Sequence, residues 1–147
     1  MSVIEQKSGV SWRMLASPVV AGFARELVSG VLWEWGLPFL VPDAVLVMGE
    51  LAANAIEASG RQDVIKVHVE LGVGEVVLAV WDGCAAQPVA QDVELSLETL
   101  DLREENFDAN GGWGLSIVEG LAERYWVDHT RPVGKWVCAA MKTSGRA

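Results

Sequence analysis

The fold is decided by residues 43–58, DAVLVMGELAANAIEA, a stretch in which apolar side chains occupy almost every position. A helix of this composition is largely buried in a core. Polar residues nevertheless recur at spacings of seven, four and three, which places them on one narrow helical face: Asp43, Glu50, Asn54 and Glu57. Because burying an unpaired carboxylate is costly, this face meets either bulk water or a polar cavity.

The helix alone leaves both interpretations of its polar face open. Thin solvent-facing stripes are common on amphipathic helices. Against that interpretation, the face carries no Lys or Arg, and Asn54 is a residue type with low helix propensity. Side chains whose acceptors are all oxygen atoms suit a hard cation such as Mg²⁺.

Outward from this helix, hydrophobic periodicity predicts the remaining elements. Strands are expected over residues 12–17, 65–71, 76–81, 125–130 and 134–141. Further helices are expected from Pro18 to Trp35, with an apolar stripe at Val19, Phe23, Leu27, Val31 and Trp35, and over 115–124. Gly60 is expected to close the helix of residues 43–58. Residues 83–111 show no period and hold seven acids against one base, which is typical of a functional lid or a disordered loop.

The predicted order is β-α-α-β-β-lid-α-β-β, which differs from the βαβα alternation of a parallel doubly wound sheet. We therefore expect an α+β fold: a two-layer sandwich with a mixed, mostly antiparallel sheet and helices on one face. The 147 residues, of which 51% are apolar, suit a single domain over residues 1–147.

Charge and composition narrow the possible partners. The net charge is -9, with 20 acids against 11 bases and no Lys/Arg cluster, so a nucleic acid is not an expected partner. No targeting segment is recognised at the start, and the longest apolar runs are interrupted by Asp43, Glu50 and Asn54, so no membrane span is expected. The isolated Cys84 and Cys138 predict no zinc site and suit a reducing cytoplasm.

Two glycine-containing stretches are candidate ligand contacts. Asp82-Gly83 ends the predicted central strand, where a carboxylate is able to accept a hydrogen bond from a ligand amino group. An ordinary Asp-Gly turn is the alternative. The run 111–115, GGWGL, opens a predicted helix, whose backbone N–H groups and dipole are able to bind phosphates. A flexible hinge is the alternative there.

Together these three features resemble the gyrase, heat-shock chaperone, histidine kinase and MutL (GHKL) superfamily of ATP-binding domains, whose fold is the Bergerat type. The matching stretches are MGELAANAIEAS at 48–59, WDG at 81–83, and GGWGLSIVEGLAERYWV at 111–127 followed by GKWVCAAM at 134–141. The resemblance extends over about residues 12–142. Within the superfamily the chain is most similar to the stand-alone anti-sigma-factor serine/threonine kinases of bacteria.

The resemblance implies a role for each matching residue. Glu50 corresponds to the catalytic general base, Asn54 to the Mg²⁺ ligand, and Asp82 to the acceptor of the adenine amino group. The nucleotide-binding residues further include Gly83, Gly112, Gly114 and Leu115, and residues 83–111 correspond to the ATP lid. The implied cofactors are ATP and Mg²⁺. The implied partners are a sigma factor and an anti-anti-sigma protein of the STAS type, and a homodimer is left open.

Several positions depart from the family pattern. Glu57-Ala58 replaces a basic pair, Cys84 follows the first glycine motif where a Gly or Ser is usual, and Trp113 replaces an Arg between the later glycines. A Thr that lies beneath the adenine in the family is expected to be replaced by Trp136. These changes bear more on phosphoryl transfer than on ATP binding.

Four functions are therefore weighed. A protein serine kinase that also acts as an anti-sigma switch is the main hypothesis. An ATP-binding module that only sequesters a partner is the alternative. The catalytic half of a histidine kinase is disfavoured, because neither His68 nor His129 lies on a predicted helix. In the fourth, a non-nucleotide fold, the polar helix face simply meets water.

Overall fold

The computed structural model of the chain describes residues 9–84 and 112–143, and in the last helix it describes side chains from residue 116 onward. The described strands are β1 (Gly9–Leu15), β2 (Val64–Gly72), β3 (Glu75–Asp82), β4 (Arg124–His129) and β5 (Lys135–Lys142). The described helices are α1 (Val19–Glu34), α2 (Val41–Glu57) and α3 (Gly112–Leu121), with a 3-10 turn at Pro38–Leu40. The predicted lid lies outside the described residues, apart from Gly83 and Cys84.

The described strands form one sheet in the order β1-β2-β3-β5-β4, and each neighbouring pair is antiparallel. One face of the sheet is buried beneath the helices through alternate residues of the three inner strands: Ile65, Val67, Val69, Val76, Leu78, Val80, Val137, Ala139 and Met141. The α+β architecture with helices on one face is thus confirmed, and so is the prediction that β3 is central.

Helix α1 buries a different stripe from the one that the sequence predicts. The buried residues are Val20, Ala24, Val28, Val31 and Leu32. The prediction was wrong for Val19 and Phe23, which are 75% and 53% exposed. The helix is apolar over most of its circumference, so periodicity alone leaves its rotation ambiguous by about one residue. The small side chain of Ala24, which is fully buried, lies on the face that packs against α2.

Helix α2 lies in the core and packs against α1, α3 and β3. By length and hydropathy alone Pro38–Glu57 meets the criterion for a membrane span, but a buried core helix meets the same criterion. The prediction that Gly60 ends the helix was wrong. The Ser59 hydroxyl donates to the Ala55 carbonyl, and the Gly60 N–H donates to the Asp63 carboxylate. These bonds end the helix without a left-handed glycine.

Helix α3 begins and ends three residues earlier than the sequence predicts. It spans Gly112–Leu121 rather than 115–124, because strand pairing takes over before Arg124. The Glu123 N–H already donates to the Ala140 carbonyl of β5, and Arg124 pairs with Ala140. The glycines of the 111–115 run are therefore part of the first turn of α3 from Gly112 onward, rather than a loop before it.

Candidate functional site

Asp82 is the last residue of β3, and it is buried. Side chains alternate between the two faces of a strand, so Asp82 points to the helix-covered face together with Val80. Its neighbour Trp81 pairs with Lys66 at the start of β2, and β2 follows α2 after a short loop. Asp82 therefore lies at the end of the sheet where α2 finishes, and the last turns of α2 carry Asn54.

The first turn of α3 lies at the same end of the domain. At the opposite end, Leu121 and Ala122 line a surface cleft with Asp43, near the start of α2. Because α2 and α3 pack against each other, α3 extends from this cleft back along α2. At 1.5 Å per residue, α3 spans about 15 Å and the path from Asp43 to Asn54 about 16 Å. Gly112 and Gly114 therefore lie toward the Asn54 end, with their backbone N–H groups in the unpaired first turn.

The polar face of α2 is partly exposed where the site lies. Glu50 and Asn54 are one helical turn apart and half-buried, and within residues 9–84 and 112–143 neither side chain forms a hydrogen bond or an ion pair. Glu57 is exposed on the next turn. Asp43 shares this face but lies in the distant cleft, so it is not part of the same site. Within the described ranges a carboxylate and an amide without partners thus lie one turn apart on α2, and Asn54 lies toward the end of the domain that holds Asp82.

The Asp82 carboxylate forms a buried ion pair with Lys135, the first residue of β5. The Lys135 ammonium donates to both carboxylate oxygens, at 3.0 and 3.1 Å, and the Cys84 backbone N–H donates to Oδ1 at 2.9 Å. The two residues are 1% and 2% exposed, which makes them the two buried charged residues of the described ranges. The negative charge of Asp82 is therefore compensated before any ligand binds.

The sequence analysis did not identify Lys135. It expected Trp136, the next residue, to lie at the nucleotide site. The strand register shows why: Asp82 pairs with Lys135, whereas Trp136 pairs with Trp81 and points to the opposite, open face of the sheet. On that face Trp136 packs edge-on against His68. The expectation that Trp136 lies beneath the adenine was wrong. Alternation along β5, counted from the apolar residues Val137 and Ala139, was the signal that identifies Lys135.

The ion pair occupies the carboxylate that the sequence predicts as a ligand contact. Separating a buried ion pair by removing one partner typically costs about 3–5 kcal/mol. A hydrogen bond from a neutral donor to a charged acceptor contributes about 1.5–3 kcal/mol. A base amino group that approaches Asp82 would therefore meet a carboxylate that already accepts from Lys135 through both oxygens.

The family comparison agrees with this arrangement of helix, strand end and glycine turn. The family model described as a histidine kinase-like ATPase domain matches residues 16–141, which is most of the chain. The chain belongs to this family. A search of curated proteins found no match. The match supports an ATP-binding domain of the GHKL type.

The residues of this histidine kinase-like ATPase domain fit ATP. A buried carboxylate at the end of β3 offers an acceptor to a base, and the first turn of α3 offers N–H donors to phosphates. The amide oxygen of Asn54 has no partner within the described ranges, lies toward the same end of the domain, and is a suitable ligand for a hard cation. Within the described ranges no group of three His, Cys, Asp or Glu side chains is placed to hold a metal ion alone. A cation at Asn54 would therefore draw most of its ligands from phosphates and water.

Several predicted nucleotide contacts of the ATPase domain are placed only by their backbone. Gly83 directly follows β3, and Gly112, Gly114 and Leu115 occupy the first turn of α3. The side chain of Leu115 is outside the described part of the structure, and so are Gly111 and the remainder of the predicted lid. These assignments stay predictions.

The two cysteines of the ATPase domain are free thiols. Burial, and to a lesser extent the nearby Asp128 carboxylate, raises the pKa of Cys138 to about 12. A thiol with so high a pKa stays protonated and unreactive at neutral pH. That neither cysteine forms a zinc site stays a prediction.

Proposed function

We propose that this ATPase domain is a cytoplasmic regulator of the anti-sigma-factor type, which phosphorylates a serine of a STAS-type anti-anti-sigma partner and also binds a sigma factor. The observation that supports the kinase activity is the pair Glu50 and Asn54. Both side chains are half-buried and lack partners within the described ranges, and they lie one helical turn apart on α2. Their acceptors are therefore free for a substrate hydroxyl and a metal ion.

The two free side chains of α2 take different parts in this proposal. Bound Mg-ATP supplies the phosphoryl group that is transferred. Asn54 offers its amide oxygen to the cation, and the N–H groups of the first turn of α3 hold phosphate oxygens. Glu50 orients the serine hydroxyl of the partner and accepts its proton. In reactions of this class the protein contributes mainly positioning and charge stabilisation.

The proposed metal ligand predicts a metal-linked change in affinity. Asn54→Ala is expected to weaken Mg-ATP binding by about 10- to 100-fold, because loss of a metal-supporting group typically has an effect of this size. ATP affinity in EDTA should stay unchanged, since the amide then has no cation to bind. Calorimetric titration with and without Mg²⁺ measures both. The control is Asp43→Asn, which alters the same helix face in the distant cleft. Equal losses with and without Mg²⁺ would contradict the metal role of Asn54.

The proposed base predicts a separation of binding from phosphoryl transfer. Glu50→Gln should leave Mg-ATP affinity within about threefold of wild type and lower partner phosphorylation by about 10²- to 10⁴-fold, the range of a lost general base. Transfer of radiolabel from ATP to candidate anti-anti-sigma proteins of the same genome measures this. Glu34→Gln, an exposed change at the end of α1 and outside the cleft beside Val19 and Phe23, is the control. A Glu50→Gln variant that still labels its partner at the wild-type rate would exclude Glu50 as the base.

A second function, an ATP-binding module that only sequesters a protein partner, is favoured by the outer surface of α1 and α2. Val19, Phe23 and Leu46 are 75%, 53% and 49% exposed, and a cleft of about 610 Å³ lies beside the first two. Exposed apolar clusters of this kind mark protein-binding surfaces. If no candidate partner is labelled while a sigma factor is still captured, this function replaces the kinase.

A further inference from the structure

Three polar side chains form a hydrogen-bonded chain on the open face of the sheet, opposite the helices: Ser11, His68 and Glu70. Ser11 of β1 pairs directly with His68 of β2, and Glu70 lies two residues farther along β2 on the same face. The Ser11 Oγ lies 2.6 Å from His68 Nδ1, and His68 Nε2 lies 3.0 Å from Glu70 Oε1. Ser11 is exposed and the His68 side chain is 26% exposed, so a ligand on this face is able to reach both.

The hydrogen bonds determine which ring nitrogen of His68 carries the proton. An ionised glutamate only accepts hydrogen bonds, so His68 Nε2 donates to Glu70. In the neutral ring Nδ1 is then the acceptor, and the Ser11 hydroxyl donates its proton to it. The imidazole is thus placed to take up the serine proton, and the carboxylate to stabilise the resulting imidazolium. A hydroxyl bonded to a base that a third group orients is the arrangement of an activated nucleophile.

The three side chains line a cleft of about 430 Å³ on the open face. The strand register explains its shape, because Ala79 and Cys138 lie side by side in the middle of the sheet, between His68 and Trp126. These two small side chains form the floor of the cleft, and the rings of Trp126 and Trp136 line it as well. A small-residue floor beside aromatic rings suits an uncharged apolar group.

We propose that Ser11 is a nucleophile activated by His68 and Glu70, and that this cleft cleaves uncharged carboxylic esters with apolar acyl or aryl groups. Ser11 Oγ attacks the ester carbonyl carbon, and its proton passes to His68 Nδ1. The bond from the carbonyl carbon to the leaving oxygen then breaks, and the imidazolium gives its proton to that oxygen. Water next attacks the acyl-serine, with His68 taking its proton and returning it to Ser11 Oγ, so the products are an acid and an alcohol.

Arg13 supplies positive charge near the carbonyl that Ser11 attacks. It is exposed and follows Ser11 by two residues on the same face of β1, which places it about 7 Å farther along the strand. An exposed guanidinium stabilises an oxyanion less than donors fixed in a buried pocket, each of which contributes about 10²–10³ in rate. We therefore expect the cleft to turn over esters slowly.

Covalent labelling tests the nucleophile directly. Wild-type protein is treated with phenylmethanesulfonyl fluoride, which sulfonylates activated serines, and the modified residue is located by mass spectrometry. The label is expected on Ser11, and His68→Gln should remove it because the hydroxyl loses its base. Ser59, whose hydroxyl donates to a backbone carbonyl, is the internal control. No label on Ser11, or equal labelling of Ser11 and Ser59, overturns the proposal.

Hydrolysis of p-nitrophenyl acetate, followed by release of p-nitrophenol, tests the reaction. Ser11→Ala and His68→Gln are each expected to lower the rate by about 10²-fold or more, the range of a lost general base. Arg13→Gln should lower it by about tenfold. Ser29→Ala, a change on α1, is the control and should leave the rate unchanged.

A rate that survives Ser11→Ala would show that other side chains react with the ester without the serine, and it overturns the proposal. An unchanged rate in Arg13→Gln overturns the role of Arg13 alone. Should a variant fail to fold, the position of the label on the wild-type chain still decides the question. Because the cleft lies on the face opposite the nucleotide site, none of these results bears on ATP binding.

Discussion

Asp82→Asn is expected to destabilise the folded domain by about 3–5 kcal/mol, because it leaves the buried Lys135 ammonium without a counter-charge. This is a large part of the roughly 5–15 kcal/mol that typically separates folded from unfolded domains. Urea denaturation measures the loss as a lower midpoint at unchanged slope. The consequence for function is practical: weaker ATP binding by Asp82→Asn alone does not identify a base contact, because the fold is weakened at the same time.

The double variant Asp82→Asn/Lys135→Met separates the stability lost through an unpaired buried charge from the stability lost through altered side-chain shape. It removes both charges, and replacing a buried ion pair with neutral side chains of similar size is often nearly neutral. It should therefore regain most of the stability that the single change loses. Glu75→Gln is the matched control, since the Glu75–Arg124 pair is partly exposed and such pairs contribute about 1 kcal/mol or less. If Asp82→Asn costs no more than Glu75→Gln, the buried pair does not have the strength argued here.

The fold was predictable from the sequence because its signals are local. Period-two alternation identified β2, the apolar run identified β3 as central, and the long apolar helix with one polar face identified α2. The sequence did not predict which face of α1 is buried or at which residue α3 begins. Helix α1 is apolar on too many sides for periodicity to select the stripe with Ala24, and the start of α3 depends on where Glu123 begins to pair with β5.

The candidate site was predictable only in part. Glu50, Asn54 and Asp82 have recognisable neighbours in the sequence, and the structure places Asn54 and Asp82 toward one end of the domain, with Glu50 one helical turn before Asn54. Alternation along β5 places Lys135 on the face of Val137, but a lysine next to a turn is usually exposed, so that alternation was not enough to predict its burial. Its burial depends on a pairing between β3 and β5, which are separated by more than fifty residues. Long-range contacts of this kind are the information that local patterns lack.

The turn that places Lys135 is itself sensitive to a single methyl group. Gly134 precedes Lys135, has a φ of +95°, and packs directly against the Trp81 ring, whose Nε1–H donates to the Thr130 hydroxyl at 3.0 Å. A Cβ on Gly134 would lie 2.5 Å from that ring. A shift of the ring would disturb this hydrogen bond and the contact with the Lys66 ammonium, which lies 4.6 Å from the ring centroid.

Gly134→Ala is therefore expected to cost about 2–5 kcal/mol. An L residue in left-handed backbone costs about 1–2 kcal/mol, and overpacking against a fixed ring adds about 1–3 kcal/mol. Gly74→Ala is the matched control, because Gly74 has a similar φ of +76° but a Cβ added there would meet no atom within 4 Å. It should show the backbone cost alone. Thermal or urea unfolding of the two variants measures the difference, which is the cost of the contact with Trp81. Equal losses in both variants would show that the ring yields, and that the start of β5 is less rigidly placed than the contact with Trp81 implies.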